Sequence, residues 1–382
     1  MSGLDRVRKC GRTAKGLTVD VAVSQDGRAA FQGLTTCGSV WACPACARKI
    51  LARRAQELGQ AVELWDRAGG SVAMVTLTMR HDRGDALADL WDSLSDAWGA
   101  AWQTRRTKTV KPLAGVKGWA RCVEATHGAN GWHLHIHALV LLEHADRADQ
   151  LGRAMFDGWS ARLQRRGLRA PIADSGGLDV KVLDVGKAAE RIGDYLAKGT
   201  LPVSDGLSAA RELTGHATKR ARRRNRTPFA ILADVAAHDD AGALRDRAYR
   251  RDVALWHEWE DASRGRRALT WSVGIRELLG LAEEQTDEEL VADDDQAEVV
   301  ARIPLRTWRE LRWRPDLPSL LDVVETAAPS TRLYVVNAWL EYRGFFPAQA
   351  PQARPPAQVA TVVPPRRHAD QVVMFSDSAI AA

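Results

Sequence analysis

The chain has 382 residues, 45% apolar and 27% charged, enough for two or three domains with sizeable cores. Lys and Arg outnumber Asp and Glu 54 to 48, a net charge of +6 that names no partner by itself, and only ten of the 54 are lysine. Five cysteines are too few for a disulfide scaffold at this length, no apolar run approaches a membrane span, and the first residues carry no apolar signal region, so secreted and membrane classes are excluded and an intracellular protein is expected.

In chain order, residues 1–60 hold four of the five cysteines and a basic surplus. Val72 to Met79 reads as a strand, and Asp85 to about Arg105 repeats its apolar residues at helical spacing. Trp119 to Thr126 and Trp132 to Leu142 are strand runs joined by His127 to Gly131, whose Asn-Gly pair signals a hairpin. A helix over about 146–166, a strand from Leu178 to Val185 and a helix from Lys187 to Lys198 follow. This order predicts an α+β fold, an antiparallel sheet with flanking helices. Beyond about 205, Lys219 to Arg226 is basic without one acid, and residues 243–263 and 271–291 look helical. Residues 299–345 read as a small helical or mixed module. The stretch 346–382 holds six of the fifteen prolines and is expected to be a disordered tail. The expected division is a zinc-binding segment (1–60), a catalytic domain (61–205), a mostly helical DNA-binding or accessory module (206–345) and the tail.

Three clusters carry chemistry. Cys37, Cys43 and Cys46, with Cys10 upstream, offer four thiolates with the Cys-x-x-Cys spacing of a closed tetrahedral zinc site, which would fold the region rather than react. Cys122 lies apart in a strand and reads as an ordinary buried thiol. Along Trp132 to Leu142 the period of two puts His133, His135 and His137 on one face and Trp132, Leu134, Ile136, Ala138 and Val140 on the other. Three aligned imidazoles point to a metal or phosphate site, to which Glu124 on the preceding strand could add a hard oxygen. Tyr195 and Lys198 share a helical face; a tyrosine nucleophile needs nearby positive charge, which Lys198 and Arg191 could supply. That pair is commonplace alone and gains weight only beside the histidine strand.

The order of a cysteine cluster, Thr76-Leu77-Thr78, Glu124 through His137 and then Tyr195 and Lys198 resembles the rolling-circle replication initiators of Gram-positive and actinomycete plasmids, which are His-hydrophobe-His endonucleases. The resemblance covers roughly residues 37–200, with a weaker likeness over 255–272. It implies that the histidines bind Mg²⁺ or Mn²⁺ at the scissile phosphate. It also implies that Tyr195 attacks one strand of the plasmid origin, leaving a covalent 5′-phosphotyrosine and a 3′-OH primer. Host helicase and DNA polymerase would be the partners and the bacterial cytoplasm the location. Lys219, Arg220, Arg222, Arg223, Arg224 and Arg226 would contact DNA, and the region of Trp308 and Trp313 would help to read the origin. One departure is visible: the family places a glutamate one turn before the tyrosine, where this chain has Arg191. The competing readings are a single-tyrosine transposase or relaxase, or a non-catalytic zinc-containing DNA-binding regulator.

Overall fold

The strand that carries the three histidines must bury its other face, which is wholly apolar. The computed structural model, which describes residues 2–183, 225–240, 242, 245–293 and 296–351, puts it at the centre of a sheet. The strands are β1 (Thr18–Val23), β2 (Ala29–Gln32), β3 (Ser71–Thr78), β4 (Gly118–Gly128), β5 (Gly131–Leu142), β6 (Leu178–Val182), β7 (Leu269–Trp271) and β8 (Glu298–Pro304). The main sheet is antiparallel in the order β6-β3-β5-β4-β7. Gly128 pairs with Gly131 across the hairpin, so Ala129 and Asn130 form its tip.

Helices α1 (Asp5–Lys9), α2 (Pro44–Arg67), α3 (Leu87–Ala101), α4 (Arg105–Leu113), α5 (Ala148–Arg165), α6 (Pro228–Asp240) and α7 (Arg247–Ala262) surround this sheet. The apolar face of β5 is covered by α3, α5 and α7. Trp98 of α3 meets Trp119, the close approach of Gly152 in α5 is to Val180, and Trp259 of α7 stacks on Trp132. Trp259 is almost fully buried and lies against Trp41, Trp91 and Trp132, with ring centroids 5.5–5.8 Å away, while its indole N–H donates to the Trp41 carbonyl at 2.8 Å. One side chain thus joins the cysteine segment, α3 and the histidine strand.

Two sequence expectations change. The continuous helix expected over 271–291 is instead the end of β7 and two short helices, α8 (Ile275–Leu278) and α9 (Asp287–Leu290). Gly274 and Gly280 adopt positive φ and break the helical path. The other difference concerns residues expected to form a separate N-terminal segment. β1 pairs with both β2 and β8, forming a three-stranded sheet in the order β2-β1-β8. Helices α10 (Leu305–Leu311), α11 (Pro318–Thr326) and α12 (Arg332–Tyr342) pack on it around Trp308, Leu320, Val336 and Leu340. Residues 14–34 and 298–348 therefore share one core across the expected divisions at 60 and 206. Ala348 is buried and Gln349 bridges to Arg302, so the start of the expected tail is part of this module.

Replacing Trp259 by Ala should cost about 3–5 kcal/mol of unfolding free energy, the range for a buried aromatic that leaves a cavity. Urea unfolding of the two proteins measures it, and a loss below about 1 kcal/mol would mean that Trp259 does not hold the three parts together.

Candidate metal centres and their surroundings

Antiparallel register fixes which side chains can meet. Glu124 lies opposite His135, Cys122 opposite His137 and Thr126 opposite His133, while on the other side Thr76 pairs with His137 and Thr78 with His135. Directly opposed residues share a face, so the Thr-Leu-Thr strand, Glu124 and the histidines converge. His135 Nε2 and His137 Nε2 each lie 3.0 Å from Glu124 Oε2. All three side chains are largely buried.

Burial alone would raise the Glu124 carboxyl, but hydrogen bonds and charge from His135 and His137 outweigh it and hold the group well below the usual carboxylate range. Thr76 Oγ1 is 3.0 Å from His137 Nδ1. With an ion bound, a hydrogen bond from Nδ1–H to Thr76 would turn the Nε2 lone pair to the metal in place of the bond to Glu124. His135 Nδ1 is buried with no hydrogen-bond partner among the described residues.

Glu124, His135 and His137 could hold a metal. The cis edge of an octahedron with ligands at about 2.1 Å is about 3.0 Å, so the two nitrogen–oxygen separations fit a Mg²⁺-sized ion. His133 stands apart from this group. Its Nδ1 is 3.1 Å from Nε2 of His81, whose own Nδ1 is 2.9 Å from the Asn130 carbonyl. Desolvation, then the neighbouring His135 and His81, push His133 down to about 4, so it is neutral at pH 7. His81 escaped the sequence reading; its one signal was a position three residues after the Thr-Leu-Thr run.

The four cysteines come together as their spacing suggested. Cys43 caps α2, Pro44 opens that helix and Cys46 lies in its first turn, while Cys37 precedes it. Cys10 is brought in by backbone bonds from Gly11 to Thr35 and from Thr35 to Thr13. Sulfur–sulfur distances are 3.4 Å (Cys10–Cys46), 3.6 Å (Cys10–Cys43) and 3.7 Å (Cys37–Cys46). A tetrahedron with Zn–S bonds of about 2.3 Å has edges of about 3.8 Å, so the cluster could bind zinc. Cys122 is separate from this cluster and desolvation pushes its thiol up to about 12.

Tyr195, Lys198, Lys219, Arg220, Arg222, Arg223 and Arg224 lie outside the described residues. Arg226, expected with the DNA-binding cluster, is turned inward. It bonds Asp252 through both Nη atoms at 2.6 and 2.7 Å and Asp234 at 2.7 Å, and its backbone pairs with His127 at the hairpin. Trp308 is buried, donating to the Arg12 carbonyl, whereas Trp313 is exposed and flanked by the guanidinium groups of Arg12 and Arg312. No helix among the described residues is long and apolar enough to cross a membrane.

A family model described as "Replication protein" matches residues 30–316. A Streptomyces lividans protein named "Protein rep" is 31% identical over 366 aligned residues, covering 81% of this chain and 78% of the relative. A Streptomyces cyanogenus protein named "Neomycin resistance protein" is 37% identical over 141 residues, covering 30% of this chain and 32% of that one. No solved structure matches. The family match includes Cys37, Cys43, Cys46 and the histidine cluster, with Cys10 ahead of it, and this chain belongs to the replication protein family.

Proposed function

We propose that the chain initiates rolling-circle replication of a plasmid by nicking and rejoining one strand of the origin through Tyr195. The observation that carries this reading is the Glu124–His135–His137 group on the sheet face of a replication-family protein. Mg²⁺ or Mn²⁺ bound there would polarise the scissile phosphate and offset charge developing on its oxygens. Glu124 supplies the anionic oxygen, and Thr76 orients His137 through Nδ1. The phenolic oxygen of Tyr195 forms the bond to phosphorus while the bond from phosphorus to the 3′ oxygen breaks. That oxygen leaves as a 3′-OH, and the DNA end stays on the protein as a 5′-phosphotyrosine. Lys198, three residues further on in the sequence, supports negative charge on the phenol. The reverse reaction rejoins the strand.

Zinc in the four-cysteine site has a structural role, since a closed site offers no open coordination position. Lys219, Arg220, Arg222, Arg223 and Arg224 track the DNA backbone, while Arg226 anchors the end of that segment to Asp252. The 3′-OH passes to a host polymerase working with a host helicase.

A supercoiled plasmid carrying the flanking DNA of the gene, incubated with the protein and Mn²⁺, should be nicked and carry protein on a 5′ end under denaturing conditions. Tyr195→Phe and EDTA should both abolish the adduct, and equal nicking by the Phe variant would remove Tyr195 as nucleophile. Glu124→Gln and His135→Ala should each lower the rate about 100-fold or more, matching several kcal/mol of lost charge stabilisation.

Elemental analysis should find about one zinc per chain, lost in Cys46→Ser together with part of the thermal stability. A Cys46→Ser protein with unchanged zinc would exclude the cluster. Neutralising Arg222, Arg223 and Arg224 together should weaken binding to every DNA sequence and flatten the salt dependence by up to roughly 0.9 per lost phosphate contact. An unchanged slope would place the cluster away from DNA.

A further inference from the structure

The sheet face opposite the histidines carries a second constellation that the nicking reaction does not use. Arg121 of β4 lies on that face, opposite Ala138 of β5 on one side and Thr270 of β7 on the other. Its guanidinium packs 5.5 Å from the Trp98 ring, and its Nε is buried with no hydrogen-bond partner among the described residues. No described carboxylate pairs with it. Desolvation lowers its affinity for the proton, the expected response of a cation in a poorly solvated place.

Arg121 is half-buried, and a cation that water solvates only in part gains from a nearby anion. Arg121 opens onto a cavity of about 190 Å³ that Arg266, Arg267, Trp91, Ser95 and Thr270 also line. The lining carries three arginines, two hydroxyls and no carboxylate. Arg266 is held in place from outside the cavity, bonded to Asp92 at 2.8 Å and stacked 5.2 Å from Trp91. Arg267 is mostly exposed, and its Glu284 contact is long, at 3.8 Å. The cavity falls below the roughly 300 Å³ at which pockets begin to enclose drug-sized ligands. It suits a group of a few heavy atoms with several acceptor oxygens, which guanidinium forks and hydroxyls recognise.

We propose that this cavity binds a phosphate group, and that the bound anion supplies the missing counter-charge of Arg121. The phosphate can be a free anion or one phosphodiester of a nucleic acid strand passing the mouth of the cavity between α3 and β7. Both share the same recognition chemistry.

The test uses the full-length, zinc-loaded protein with inorganic phosphate, pyrophosphate and a short single-stranded oligonucleotide as probes, against chloride at equal ionic strength. Wild type should show saturable binding by calorimetry and a raised melting temperature. Arg121→Gln should weaken binding at least tenfold and erase the phosphate-dependent rise. In phosphate-free buffer Arg121→Gln should melt at or above wild type, since it removes an unpaired cation; a purely structural arginine would melt lower. Should that variant fold poorly, Arg267→Gln, at an exposed position, should still weaken binding several-fold. Binding of inorganic phosphate alone identifies a free-anion site, and binding of the oligonucleotide alone identifies a backbone contact. A wild-type response no larger than that to chloride, or an equal response in both arginine variants, overturns the proposal. Nicking, read through Tyr195→Phe, stands or falls separately.

Discussion

Everything in the candidate site rests on the pleat of one strand. β5 is hydrogen-bonded on both sides, so its side chains have two environments and no third. Leu134, Ile136, Ala138 and Val140 occupy one of them and are essentially inaccessible to solvent. The demand that they stay buried pins the register, because a slip of one residue would expose them all. The imidazoles are thereby held on the opposite face by packing energy, and metal binding need not organise them. Glu124 inherits the same precision from the two-residue hairpin tip that sets β4 against β5.

The two candidate metal centres differ in how the chain reaches them. The histidine centre draws its ligands from adjacent strands of one hairpin, only thirteen residues apart at most. The cysteine centre gathers a helix terminus, a loop and the distant Cys10, which is tethered through backbone bonds to Thr35. An ion at the first site serves a preformed scaffold, whereas an ion at the second would close a loop of the chain and limit its unfolded freedom. Trp259 couples them mechanically, touching Trp41 beside the cysteines and Trp132 beside the histidines.

Much of this was legible in the sequence wherever the determining interactions are local. The period of two in Trp132 to Leu142, the hairpin, and the spacing of Cys37, Cys43 and Cys46 each describe contacts between near neighbours. What escaped were pairings decided by tertiary packing. Nothing near His133 announces that His81, fifty-two residues earlier, takes its Nδ1. The inward turn of Arg226 depends on Asp252 of α7, and a basic run gives no hint of which arginine meets a carboxylate. The helical look of 271–291 came from apolar spacing, and two glycines with positive φ overrode it. Tyr195 and Lys198 stand on motif order alone.

The pairing of β1 with β8 has a consequence for how the protein is made. Val19 faces Ile303 across the ladder, so the first strands leave the ribosome long before their partner exists. β1 is almost entirely apolar on its buried positions and must wait with an open edge while the main sheet forms. Such sequence-distant pairing is slow to form and exposes strand edges to association with other chains. The histidine sheet, built largely from residues 71–182, faces no such delay. The order of synthesis thus favours a nascent chain whose histidine sheet is assembled first, and whose β1–β8 ladder is stitched together last.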